Sequence, residues 1–194
     1  MPQSDEFAME DIEMVRLALR EQAFFAHIIN RYEAPLERYI RRLGVHDPED
    51  RADVLQDIFI KVYRNLNSFD QSLRFSSWIY RVAHNEAISW YRKRTARPEG
   101  HMVLDSTDVL NFLSAKEESS EVTFDKEVNA EQLAMALEQI DEKYRSVIML
   151  RYFEHKDYNE ISDILQIPVG SVGTLLHRGK HALRDVLNHD AVRM

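Results

Sequence analysis

Between Phe24 and Leu43 the apolar residues recur every three or four positions: Phe24, Phe25, Ile28, Ile29, Tyr32, Leu36, Tyr39, Ile40 and Leu43. Only a helix gathers residues so spaced onto one face, and the same period returns along most of the chain. Five glycines and five prolines in 194 residues leave few interruptions. The expected fold is therefore all-α, and the length suits two small helical domains better than one large core.

Local signals divide the pattern. Residues 8–43 read as helix, stopped by Gly44, with Pro35 expected to kink or divide it. In HDPEDRADVLQDIFIKVYRNL, Asp47 is placed as an N-cap, Pro48 stands first in the helix and two acids follow in its first turn. The apolar stripe of that helix is Val54, Leu55, Ile58, Phe59, Val62, Tyr63 and Leu66, which turns Asp53, Gln56, Asp57, Lys61 and Arg64 to other faces. After the loop NSFDQSLR, residues 76–95 form a further helix with Ile79, Val82, Ala83, Ala87 and Trp90 toward the core. Glu86 falls among them without an evident partner. Arg81, Asn85, Ile88 and Arg92 lie roughly opposite, and the basic run RKRTAR ends the module.

From about Arg97 to Val128 polar residues dominate, and the segment reads as an extended acidic linker in which DVLNFL offers at most a transient turn. NAEQLAMALEQIDEKYRSVIMLRYF then gives one or two helices. Asp157 with Glu160 forms a capping-box start for a short helix over 158–165, Ile167 to Gly170 make a turn, and 171–187 is the last helix. The expected domains are an acidic extension over 1–22, a helical module over 23–97, the linker over 98–128 and a second module over 129–190.

Charge follows the same divisions. The net charge is -8, but residues 99–131 carry nine acids against Lys116 and Lys126, whereas Arg81 to Arg97 sets five cations against Glu86 alone. An acidic sum thus hides a basic surface, and distribution matters more than total for nucleic-acid binding. With no cysteine there is no disulfide framework, thiol nucleophile or cysteine zinc site. No apolar run reaches the length of about 18 residues that a membrane helix needs, and MPQSDEFAMEDIEM is acidic where a signal peptide is basic. Neither membrane insertion nor secretion is expected; a cytoplasmic protein is.

Two short helices around a glycine-containing turn make a helix-turn-helix, whose second helix can enter a DNA major groove. A plain helical hairpin with a solvated basic face has the same pattern. Ser171, Thr174, Arg178 and Lys180 favour the groove, supplying small polar groups near the helix start and cations for phosphates. His177 and His181 have zinc spacing, yet Arg178 and Lys180 lie between them and no glutamate does, so phosphate contact or solvation is expected rather than a metal. Phe75, Trp78, Tyr80, Trp90 and Tyr91 are mostly core by size, though rings among cations also suit single-stranded DNA, and Phe75 is the candidate to meet an unstacked base. Gly173 and Gly179 each cost the last helix about 1 kcal/mol relative to alanine, so it is expected to firm up on DNA.

Together, DVLQDIFIKVYRNLNSFDQSLRFSSWIYRVAHNEAISWYRKR and YNEISDILQIPVGSVGTLLHRGKHAL resemble bacterial RNA polymerase sigma factors of the extracytoplasmic-function group, which keep only region two and region four of the family. The resemblance implies a non-enzymatic specificity subunit, without cofactor or metal, that directs core RNA polymerase to promoters. It places Asp53, Gln56, Asp57 and Lys61 against the clamp helices of the largest polymerase subunit, and region four against the flap. It gives the minus-ten element, duplex and melted, to Arg74, Phe75, Arg81, Asn85, Arg92, Lys93 and Arg94, and the minus-thirty-five element to Ser171, Thr174, Arg178 and Lys180. An anti-sigma factor is a further implied partner. Basic residues common in the family near Gly173 and Leu175 are missing, and Ile140-Asp141 stands where Leu-Pro is usual. The rival readings are a free-standing helix-turn-helix regulator and a helical metal-dependent hydrolase using His27, His84, His177 or His181.

Overall fold

The computed structural model describes residues 9–94, 104, 112 and 128–191, and among these there are helices and no strands. Helix α1 (Asp11–Arg20) is followed by a single 3-10 turn and α2 (Phe25–Arg42); α3 (Pro48–Asn65) and α4 (Phe75–Arg94) complete a first bundle. The second unit holds α5 (Ala130–Gln139), α6 (Glu142–Ile148), α7 (Tyr158–Leu165) and α8 (Val169–Ala191). A wider π-type stretch, Met149–Phe153, extends α6.

The first break falls at Glu21, which is extended at φ -144° and ψ 122°, and not at Pro35, inside an uninterrupted α2. Pro35 is half-buried, and its missing N–H removes one bond of the helix without interrupting it. The break lets α1 fold back along α2. Met14, Val15 and Ala18 are buried, and the Asp11 carboxylate takes both the Arg31 guanidinium at 2.8 Å and the Tyr32 hydroxyl at 2.5 Å. The acidic extension is thus, from residue 11, part of the first core. Burial and the adjacent Asp11 carboxylate push the Tyr32 phenol well above its ordinary value.

Gly44 ends α2 for two reasons. Its φ is +106°, and a Cβ there would lie 2.9 Å from the Tyr91 ring. Asp47 caps α3 by accepting from the Glu49 and Asp50 amides at 2.9 and 3.1 Å. Asp157 and Glu160 close the expected capping box on α7. Gln166, left-handed at φ 55°, ends α7, so the turn is Gln166 to Pro168 and α8 starts at Val169, two residues before expectation.

The second unit packs around α8, which lies against α5, α6 and α7. Gly179 sits where α6 packs tightly on α8: a Cβ there would meet Ile148 Cδ1 at 3.1 Å and Tyr144 Cβ at 3.2 Å. Its role is packing. The two units also share a face, α4 against α7, and a continuous core. Of the acidic linker, Leu104 and Phe112 are described, and both are buried; Phe112 stacks on Phe153 at 6.1 Å between centroids and meets Tyr152 edge-on at 5.2 Å. Most of the segment expected to be extended lies outside the described residues.

Candidate polymerase and promoter surfaces

On α3, burial of Val54, Ile58, Phe59 and Val62 leaves Asp53, Gln56, Asp57 and Lys61 exposed. Lys61 forms an ion pair with Glu86 of α4, which accounts for the acid that had no evident partner. Beside this polar face, α2 and α3 enclose an open groove of about 950 Å³, lined by Phe25, Ile29, Gln56, Phe59, Ile60 and Tyr63 among others. Ile60 and Tyr63 are 38% and 41% exposed. Large apolar side chains held in contact with water next to hydrogen-bonding groups are what a protein interface requires. Sequence reasoning overlooked Ile60, although an isoleucine off the apolar stripe was a legible signal.

The α4 surface departs further from expectation. Phe75 is its first residue and only 3% exposed, boxed in by edge or tilted contacts with Tyr32, Phe69 and Trp78 at 5.3 to 5.7 Å. It offers no face to a base, because a ring that size stabilises a small bundle more when buried. Ile88 is buried as well. Asn85, Arg92 and Lys93 are exposed, Arg81 is half-buried, and the Arg94 side chain lies outside the described part. Arg74 and Arg92 are exposed but engaged: Arg74 meets Asp157 at 2.9 Å and Glu160 at 3.8 Å, and Arg92 meets Glu142 at 2.7 Å. The Glu160 amide and Arg74 together hold the Asp157 carboxyl below its ordinary range.

On α8, Ser171, Thr174 and Arg178 follow at intervals of three and four on one face; Thr174 and Arg178 are exposed and Ser171 half-buried. Lys180 is turned the other way. It is 5% exposed, with its ammonium 4.9 Å from the Tyr152 ring centre, and so holds the unit together rather than reaching a phosphate. Two residues from Arg178 a helix has turned about 200°, which separates the two cations that composition had grouped. His177 and His181 stand 4.5 Å apart between ring centres, and Arg184 contacts His181. His84 is buried against the Tyr39 hydroxyl at 2.9 Å, and burial lowers it to about 4. Among the described residues no three histidine or carboxylate side chains converge as metal ligands.

An exposed α3 face with an apolar groove, a basic α4 and a helix-turn-helix are the parts of a transcription initiation factor, and sequence comparison agrees. The chain matches the family models for sigma-70 region 2 over residues 28–97 and for sigma-70 region 4 over residues 130–183. It is 35% identical over 175 residues to the ECF RNA polymerase sigma factor SigW of Bacillus subtilis, covering 86% of this chain and 90% of that protein. The chain belongs to the extracytoplasmic-function sigma factors, which direct RNA polymerase in transcription initiation. Its fold is similar to that of CnrH, solved in complex with the cytosolic domain of CnrY, with a TM-score of 0.67 at 22% identity over 93% of this chain and 98% of that one. It is also similar to the sigma factor RpoE of Bartonella quintana, solved with the anti-sigma factor NepR, with a TM-score of 0.58 at 18% identity over 84% and 96%. Among the described residues no helix is long and apolar enough to cross a membrane.

Proposed function

We propose that this cytoplasmic, non-enzymatic subunit divides its work among three surfaces. The α3 face of Asp53, Gln56, Asp57 and Lys61, continued by Ile60 and Tyr63 in the groove, docks on the clamp helices of the polymerase. Arg74, Arg81, Asn85, Arg92, Lys93 and Arg94 follow the minus-ten element, and Ser171, Thr174 and Arg178 follow the minus-thirty-five element while region four meets the flap. Phe75 and Lys180 are left out of the DNA set because both are buried. An anti-sigma protein, the kind of partner bound in the RpoE structure, would compete for these surfaces.

The observation that carries the polymerase assignment is the juxtaposition of exposed Ile60 and Tyr63 with Gln56 around one groove. An aromatic anchor beside hydrogen-bonding groups is the composition of an interface centre, where truncation typically costs about 2 kcal/mol, roughly a thirtyfold loss of affinity. Ile60→Ala with Tyr63→Ala should therefore weaken binding of the full chain to purified core polymerase by tenfold or more and leave its helical circular dichroism intact. Unchanged affinity would remove the groove from the interface.

A further inference from the structure

The two units meet through opposite charges. Arg42, at the end of α2, pairs with Glu154 at 2.6 Å, and the Tyr80 hydroxyl of α4 donates to the same carboxylate at 3.0 Å. The Arg42 and Glu154 side chains are only 10% and 7% exposed. Arg42 also reaches the Phe153 carbonyl at 3.4 Å, while Lys156 lies 4.2 Å from the centre of the Tyr80 ring and Arg145 lies 5.4 Å from that of Tyr91. Toward the rim, Asp157 and Glu160 hold Arg74, and Glu142 holds Arg92. Acids of the second unit therefore occupy two of the arginines assigned to minus-ten DNA.

We propose that region four masks region two in the free protein: its acids stand in for DNA phosphates on α4, and Glu154, buried between Arg42 and Tyr80, is the catch. This rests on the reading of α4 as the minus-ten surface. Two observations favour a releasable catch over a permanent seam. The rim pairs are exposed, with Arg74 and Arg92 side chains 61% and 69% accessible, so polyanionic DNA can exchange for them at little cost. Glu154 also gives up solvation to reach its place, a cost that Arg42 and Tyr80 offset and that opening returns.

The natural chain has no cysteine, so Asn67→Cys and Asn188→Cys, both at exposed positions, can carry spin labels on the two units. Electron-electron distance measurement on the full chain should give one narrow distribution. Glu154→Gln should broaden and lengthen it. Glu142→Arg, which sets two arginines face to face, should enlarge the long-distance fraction, and adding Arg92→Glu should reverse that change by restoring an opposite pair; this swap leaves both cores untouched. Opening by Glu154→Gln should also raise the affinity of the free chain for single-stranded minus-ten DNA about tenfold, since apparent affinity scales with the competent fraction. A broad distribution in the unaltered chain, or a distribution insensitive to Glu154→Gln and to the swap, overturns the contact. Opening without any gain in single-strand affinity overturns masking and the α4 reading beneath it, while leaving the contact standing.

Discussion

Replacing Gly179 or Gly173 by alanine is the same chemical change on the same helix, yet the two should move stability in opposite directions. Propensity alone favours alanine by about 1 kcal/mol at either site. At Gly173 the added Cβ would meet only Tyr158 Cε2 at 3.4 Å, an ordinary contact with the end of a ring, so most of that gain should appear. At Gly179 it would meet Tyr144 Cβ at 3.2 Å and Ile148 Cδ1 at 3.1 Å. Tyr144 Cβ is fixed to the α6 backbone and no rotamer moves it. Ile148 is fully buried, so its side chain has little room to yield. Overpacking of this kind costs about 1–3 kcal/mol, which cancels or exceeds the propensity gain. The expected gap between the variants is on the order of 2 kcal/mol, roughly 4–8 °C in Tm for a chain of this length. Thermal and urea unfolding followed by circular dichroism measure it. Equal stabilisation by both alanines would show that α6 and α8 are not in close contact at Gly179.

His84 and Arg178 give two further expectations. Burial lowers His84 to about 4, whereas unfolded it titrates near 6.5, so as pH falls below about 6.5 the unfolded chain gains a proton that the folded chain refuses. Stability should therefore drop by about 2 kcal/mol at pH 5 from this residue alone and recover fully above pH 7; His84→Gln should flatten the slope, and identical pH profiles for the two proteins would contradict the assignment. Arg178→Ala should weaken promoter binding by the polymerase complex and lower the logarithmic salt slope by about one, the signature of one lost phosphate contact, whereas an unaltered slope would take Arg178 off the DNA.

What was legible in the sequence was whatever depends on near neighbours. The α2 and α3 stripes, the Asp47 cap and the Asp157–Glu160 box are decided within a few residues, and they stand in the structure as read, except that Tyr63 of the α3 stripe is exposed. The exposed Asp53, Gln56 and Asp57 follow from the same period. The misreadings involve partners distant in sequence. Phe75 and Lys180 look available until Tyr32, Phe69 and Tyr152 arrive from elsewhere to cover them. Helix α1 joins the core because Asp11 finds Arg31 and Tyr32 about twenty residues away. The contact of Glu154 with Arg42 spans 112 positions, and no periodicity within either unit announces it.

The most direct measurement is run-off transcription with purified core polymerase, with and without this chain, on genomic promoter fragments. Messages starting at new positions only when both are present, with the two proteins co-eluting, are the expected result. No stable association and an unchanged set of start sites would contradict the account at its centre.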